Sequence, residues 1–76
     1  MSVDRCEQDI YDNGVCVGMI VNKKKDEIER IVQLIASETG QPTDWNYAMG
    51  RAMVRTTGDV ELVKGKLVEY GGYLWE

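Results

Sequence analysis

Glycine-centred breaks at Thr39-Gly40, Thr57-Gly58 and Gly71-Gly72 cut the last two thirds of this chain into short segments. Each segment is read as one short helix. Between the lysine run Lys23–Lys25 and the first break, Ile28, Ile31, Val32 and Ile35 recur at the i, i+3, i+4, i+7 spacing of one helix face, and Leu34 widens the stripe. This predicts a helix from about Lys24 to Glu38. Lys23, Lys24 and Lys25 oppose the helix dipole and belong at or before its start, whereas Asp26, Glu27 and Glu29 favour it. Gly40 supplies the C-terminal stop.

After Gln41-Pro42, Thr43 is a suitable N-cap and Asp44 supports the positive helix end. Trp45, Ala48, Met49, Ala52 and Met53 then fall at helical spacing, with Arg51 and Arg55 on the other side, and predict a second helix ending at Thr57-Gly58. Asp59 caps a third helix from Val60 to about Tyr70, with a stripe of Val60, Val63, Leu67 and Tyr70. Gly50 and Gly65 fall inside the second and third helices, where close approach of the two backbones accounts for them. An apolar tail, Tyr73-Leu74-Trp75-Glu76, comes last.

The first third is open to two readings. Asp12-Asn13-Gly14 is a turn signal that would pair Cys6–Tyr11 with Val15–Val21 as a hairpin. Val3, Cys6 and Ile10 are also helically spaced, which favours a short helix capped by Ser2 and stopped at Asn13-Gly14, or a mixed arrangement. The expectation is a single, mainly α domain: an N-terminal segment over 1–22, a three-helix core over 23–72 and an aromatic tail over 73–76.

With 76 residues the chain builds one small core. It has no histidine and only two cysteines, Cys6 and Cys16, so neither a structural zinc site nor a disulfide scaffold is expected. The apolar stretch from Val15 to Val21 is too short to span a membrane, and the N-terminus lacks the pattern of a secretory signal. A cytoplasmic chain with reduced thiols, no cofactor and no membrane contact is expected. A net charge of −4 disfavours nonspecific nucleic-acid binding. Without histidine the usual general base of a nucleophilic triad is missing, and no glycine-rich phosphate loop is present. No catalytic, cofactor or metal-binding residue is assigned, and the chain is expected not to be an enzyme.

Two landmarks carry a resemblance. Glu38-Thr39-Gly40 closes the first helix, and Ala52-Met53-Val54-Arg55-Thr56-Thr57-Gly58-Asp59-Val60-Glu61-Leu62-Val63 leads into the third. Over about residues 27–71 this resembles the ubiquitin-associated (UBA)-like three-helix fold, as in the N-terminal domain of elongation factor Ts and in the nascent-chain-associated complex. Where ubiquitin binders of that class carry Met-Gly-Phe, this chain reads Thr39-Gly40-Gln41-Pro42. The resemblance implies a protein-binding module.

The expected function is a non-enzymatic protein–protein interaction module, of the kind found among small bacteriophage accessory proteins and inhibitors of host machines, including anti-CRISPR-type inhibitors. Candidate partner-binding residues are Tyr70, Tyr73, Leu74, Trp75 and Gln41. One alternative is a small helix-turn-helix-like nucleic-acid regulator using Lys23–Lys25, Arg51, Arg55, Lys64 and Lys66. Another is a self-assembling structural subunit held by Leu62, Val68 and Leu74; the chain is read as a monomer or a homodimer.

Overall fold

The stretch from Thr43 to Thr56 folds as two antiparallel strands, not as the predicted second helix. In the computed structural model, which describes residues 6–74, the chain runs α1 (Gln8–Asn13), β1 (Val15–Val21), α2 (Lys25–Thr39), β2 (Thr43–Ala48), β3 (Arg51–Thr56), α3 (Val60–Glu69) and β4 (Tyr73–Leu74). The strands form one antiparallel sheet in the order β2-β3-β1-β4. From β1 onward this is βαββαβ with two interleaved split βαβ units, the ferredoxin-like arrangement. The fold is therefore α/β, and the mainly α, UBA-like three-helix bundle is corrected: a hairpin stands between the two long helices where that bundle has a helix.

The physical reason lies in the alternation hidden under the helical pattern. Trp45 pairs with Val54, Tyr47 with Ala52 and Thr43 with Thr56. Trp45, Ala52, Val54 and Thr56 are all buried, so period-two positions of both strands fill one face. A helix would have placed Gly50 in its interior at a loss of about 1 kcal/mol. In the hairpin Met49 (φ 54°) and Gly50 (φ 78°) are the two residues of a tight loop that requires positive φ at both.

α2 and α3 form where the spacing places helices. Glu27 Oε1 accepts from the Lys24 backbone N–H at 3.4 Å, and Gly40 ends α2 with φ 71°. Asp59 Oδ1 accepts from the backbone N–H of Glu61 and Leu62, capping α3. Ile28, Val32 and Ile35 of α2 and Val63 and Leu67 of α3 bury themselves against Val17, Ile20, Trp45, Ala52 and Val54 of the sheet. Ile31, Val60 and Tyr70 pack on the margin of this cluster, while Leu34 is exposed.

The N-terminal third is both helix and strand. α1 stops at Gly14, whose N–H bonds the Ile10 carbonyl at 2.8 Å. The Cys6–Tyr11 with Val15–Val21 hairpin does not form; β1 pairs with β3 and β4 instead and is a central strand of the sheet. Ser2 and Val3, read as the start of a helix, lie outside the described residues, as does Trp75. β1 carries a bulge: Cys16 is opposite Arg55 and Gly18 is opposite Val54, so Val17 is an extra residue and sinks fully into the core. A Cβ at Gly18 would collide with the Tyr73 carbonyl and the Leu67 side chain. Among the described residues no helix is long and apolar enough to cross a membrane.

Neither mid-segment glycine serves helix–helix approach. Gly50 is in the hairpin loop, and Gly65 faces open space on α3. Gly65→Ala is therefore expected to raise stability by about 1 kcal/mol through helix propensity alone, read as an upward shift of the urea midpoint with an unchanged slope.

Candidate functional site

The two faces of the sheet are unlike. Strand register assigns Ile20, Gly18, Trp45, Tyr47, Ala52 and Val54 to the face covered by α2 and α3. The intervening residues form the outer face in three rungs. Across the middle, Asn46 of β2, Met53 of β3, Met19 of β1 and Tyr73 of β4 lie side by side. On the hairpin side, Ala48, Arg51 and Val21 make the second rung; on the opposite side, Asp44, Arg55 and Cys16 make the third.

α1 meets this face at the third rung. The Arg55 guanidinium lies 5.0 Å from the centroid of the Tyr11 ring, a cation–π stack. Arg55 Nε donates to Asn46 Oδ1 at 3.2 Å, which satisfies the amide of a residue only 5% exposed. The Glu7 backbone N–H donates to Asp44 Oδ2 at 3.0 Å, and Trp45 N–H donates to Asp44 Oδ1 at 2.8 Å. The middle rung is more open: Met19 and Met53 are half-buried and Tyr73 is 58% exposed. Methionine here is informative, because a flexible, polarisable side chain suits adaptable apolar contacts.

The residues singled out from sequence are dispersed. Tyr73 joins the middle rung beside Met19. Leu74 pairs with Gly18 on the helix side and is exposed at the sheet edge. Gln41 is spent on the fold: its Oε1 accepts from Asp59 N–H at 2.7 Å and its Nε2 donates to the Thr39 carbonyl at 3.1 Å, joining the two loops that precede β2 and α3. Tyr70 is half-buried and its hydroxyl donates to Glu38 Oε2 at 2.8 Å. Met19, Met53, Arg51 and Arg55 form the surface instead, and their common face emerges only from strand register.

Glu38 is the centre of a polar cluster tying α2 to α3. Lys66 Nζ lies 3.2 Å from Glu38 Oε1 and 3.5 Å from Glu69 Oε1. The Tyr70 hydroxyl, then Lys66, hold the Glu38 carboxyl below its usual value. Hydrogen bonding to Glu38 raises Lys66 and Tyr70. The depressed Glu38 contributes stability above the ordinary carboxylate value that is lost as pH falls through its lowered one; Lys66 and Tyr70 contribute below their ordinary values and lose it as pH rises through their raised ones. Glu38→Gln is expected to lower the melting temperature slightly at neutral pH, with the gap to the parent closing in acid. Melting curves across pH check this; these groups are exposed, so the effect is modest.

A cleft of about 240 Å³ opens between α1, α2 and the start of β2. Of the acidic residues lining it, Glu29 and Asp44 are engaged within the fold: Glu29 accepts from Trp45 Nε1 at 2.8 Å and from the Gln33 amide, and Asp44 from the Glu7 and Trp45 N–H groups. The cleft is smaller than most small-molecule sites. Among the described residues no group of three or more His, Cys, Asp or Glu side chains is placed to hold a metal ion. Cys6 is buried and Cys16 half-buried, and neither takes part in a disulfide among the described residues. Comparisons with family models, with curated proteins and with solved structures return no match to this chain.

Proposed function

We propose that this chain is a non-enzymatic protein-binding module, an accessory subunit or inhibitor of a larger partner, that docks through the outer face of its sheet. The observation that carries the reading is the Met19–Met53 cross-strand pair, flanked by Tyr73 and Arg51 and left half-exposed on the face that α2 and α3 do not cover. Methionine, tyrosine and arginine are the side chains enriched in protein interfaces. The same topology serves single-stranded RNA binding where aromatic side chains on the central strands stack bases. Here those outward positions hold Met19, Cys16, Met53 and Arg55, and the chain carries a net charge of −4. The helix-turn-helix alternative needs a helix where β2 and β3 run. These features favour a protein over a nucleic acid.

The test is capture from lysate, with and without nuclease, by the tagged chain, repeated with Met53→Glu and with Leu62→Glu on the exposed side of α3. Met53→Glu is expected to weaken capture by about tenfold or more, with a melting temperature close to the parent's, and Leu62→Glu to leave it unchanged. Capture that survives Met53→Glu sinks the face; capture lost only with nuclease turns the reading toward nucleic acid.

A further inference from the structure

Four of the nine basic side chains of this acidic protein, Lys23, Lys24, Lys25 and Arg51, gather at one end of the sheet. Val21 pairs with Arg51, so the loop carrying Lys23 and Lys24 lies beside the β2–β3 hairpin. Lys23 and Lys24 are exposed, and the Lys25 ammonium stands 5.1 Å from the centroid of the Tyr47 ring. The carboxylates nearest in sequence are turned to helix N–H groups: Asp26 Oδ1 accepts from Glu27 N–H and Glu27 Oε1 from Lys24 N–H.

At the tip of the same hairpin stands Met49, 90% exposed. Its left-handed backbone, φ 54°, is a position where asparagine or glycine is strongly favoured and an apolar side chain is rare. A strained, fully presented methionine has no role in the core, and such outliers cluster at functional contacts. Through Ala48 and Arg51 the tip is continuous with the outer face.

We infer that the partner presents an acidic segment bearing apolar residues to this end of the domain, with Met49 as the anchor seated among them and Lys23, Lys24 and Arg51 as the cationic rim. This rests on the protein-binding reading and adds the chemistry of the partner. Charge complementarity selects the occupant: in an acidic domain a local basic end attracts an anionic segment while the remainder repels it, which also fixes orientation. An anionic lipid surface would meet the same cations, but one methionine on a net-acidic domain is a weak anchor where stable attachment takes two signals.

The experiment is selection of a displayed random-peptide library on the full chain, with affinities of the selected peptides measured for the parent, Met49→Asn, Lys23→Glu/Lys24→Glu and Met53→Glu. The expected result is enrichment of acidic peptides with apolar residues, weakened about tenfold or more by Met49→Asn and by the lysine reversal, and weakened by high salt. Asparagine suits the left-handed position, so Met49→Asn loses the side chain without endangering the fold. Neutral or basic binders, no binders, or affinities indifferent to both tip variants overturn the inference. Loss with the tip variants alone upholds the tip and removes the middle rung; loss with Met53→Glu alone does the reverse. Met49-dependent sedimentation with phosphatidylserine vesicles, and no acidic peptides, assigns the end to lipid and also overturns it.

Discussion

A Gly18→Val variant is expected to be unfolded at room temperature. Gly18 lies just past the bulge of β1, with the Tyr73 carbonyl and the Leu67 side chain against its Cα. A flexible side chain could give way, but the backbone of β4 cannot unless it detaches from the sheet. Gly72 also lies against Leu67, at its other methyl group, so that leucine has little room to give way. Overpacking a core typically costs about 1–3 kcal/mol even where side chains can adjust, and a core of this size supplies only about 3–5 kcal/mol in all. Far-ultraviolet circular dichroism and one-dimensional proton spectra read the outcome directly. A folded variant melting within a few degrees of the parent would show that β4 does not close over Gly18.

Trp45→Ala is the second large effect. Trp45 is 3% exposed, packed in the core at the edge strand, and its indole N–H donates to Glu29 Oε1 at 2.8 Å across to α2. Truncation removes the largest side chain from the core and costs about 3–5 kcal/mol, enough to leave little folded protein. Trp45→Phe separates the two contributions: it keeps most of the ring volume and gives up the hydrogen bond, at a loss nearer 1–2 kcal/mol. Urea titrations of the pair are expected to show an alanine variant without a native baseline and a phenylalanine variant with a lowered midpoint. Equal losses would mean that the hydrogen bond, not the packed ring, ties β2 to α2.

The long helices were legible because each is punctuated at both ends and striped along one side. Asp59, directly after Gly58, suits the start of a helix, and Gly40 suits the end of one. The hairpin was illegible because Trp45, Ala48, Met49, Ala52 and Met53 satisfy a helical period while Trp45, Tyr47, Ala52, Val54 and Thr56 satisfy a strand period. The usual arbiter is the turn, and Met49-Gly50 lacks the asparagine or aspartate that announces a two-residue loop. Gly50 was the remaining sign, since a glycine interior to a helix is a local conflict. The candidate surface obeyed the same logic. Tyr73 stands out as an aromatic in a tail, but Met19 and Met53 are far apart in the chain and become neighbours only once β1 and β3 are known to pair.

The bulge at Val17 divides β1 into two halves of opposite phase. In an unbroken strand residues three apart point to opposite faces, yet Cys16 and Met19 both belong to the outer one. The Cys16 thiol reaches across the irregularity to the Gly18 carbonyl at 3.6 Å. Cys16 is thereby set on the outer face at the α1 corner while Gly18 and Ile20 keep to the helix side, and one inserted residue reconciles the two. The quantity on which β1 depends is a number of residues before an identity. Deleting any one position between Val15 and Gly18 would bring the strand back into step with itself and out of step with half of its surroundings.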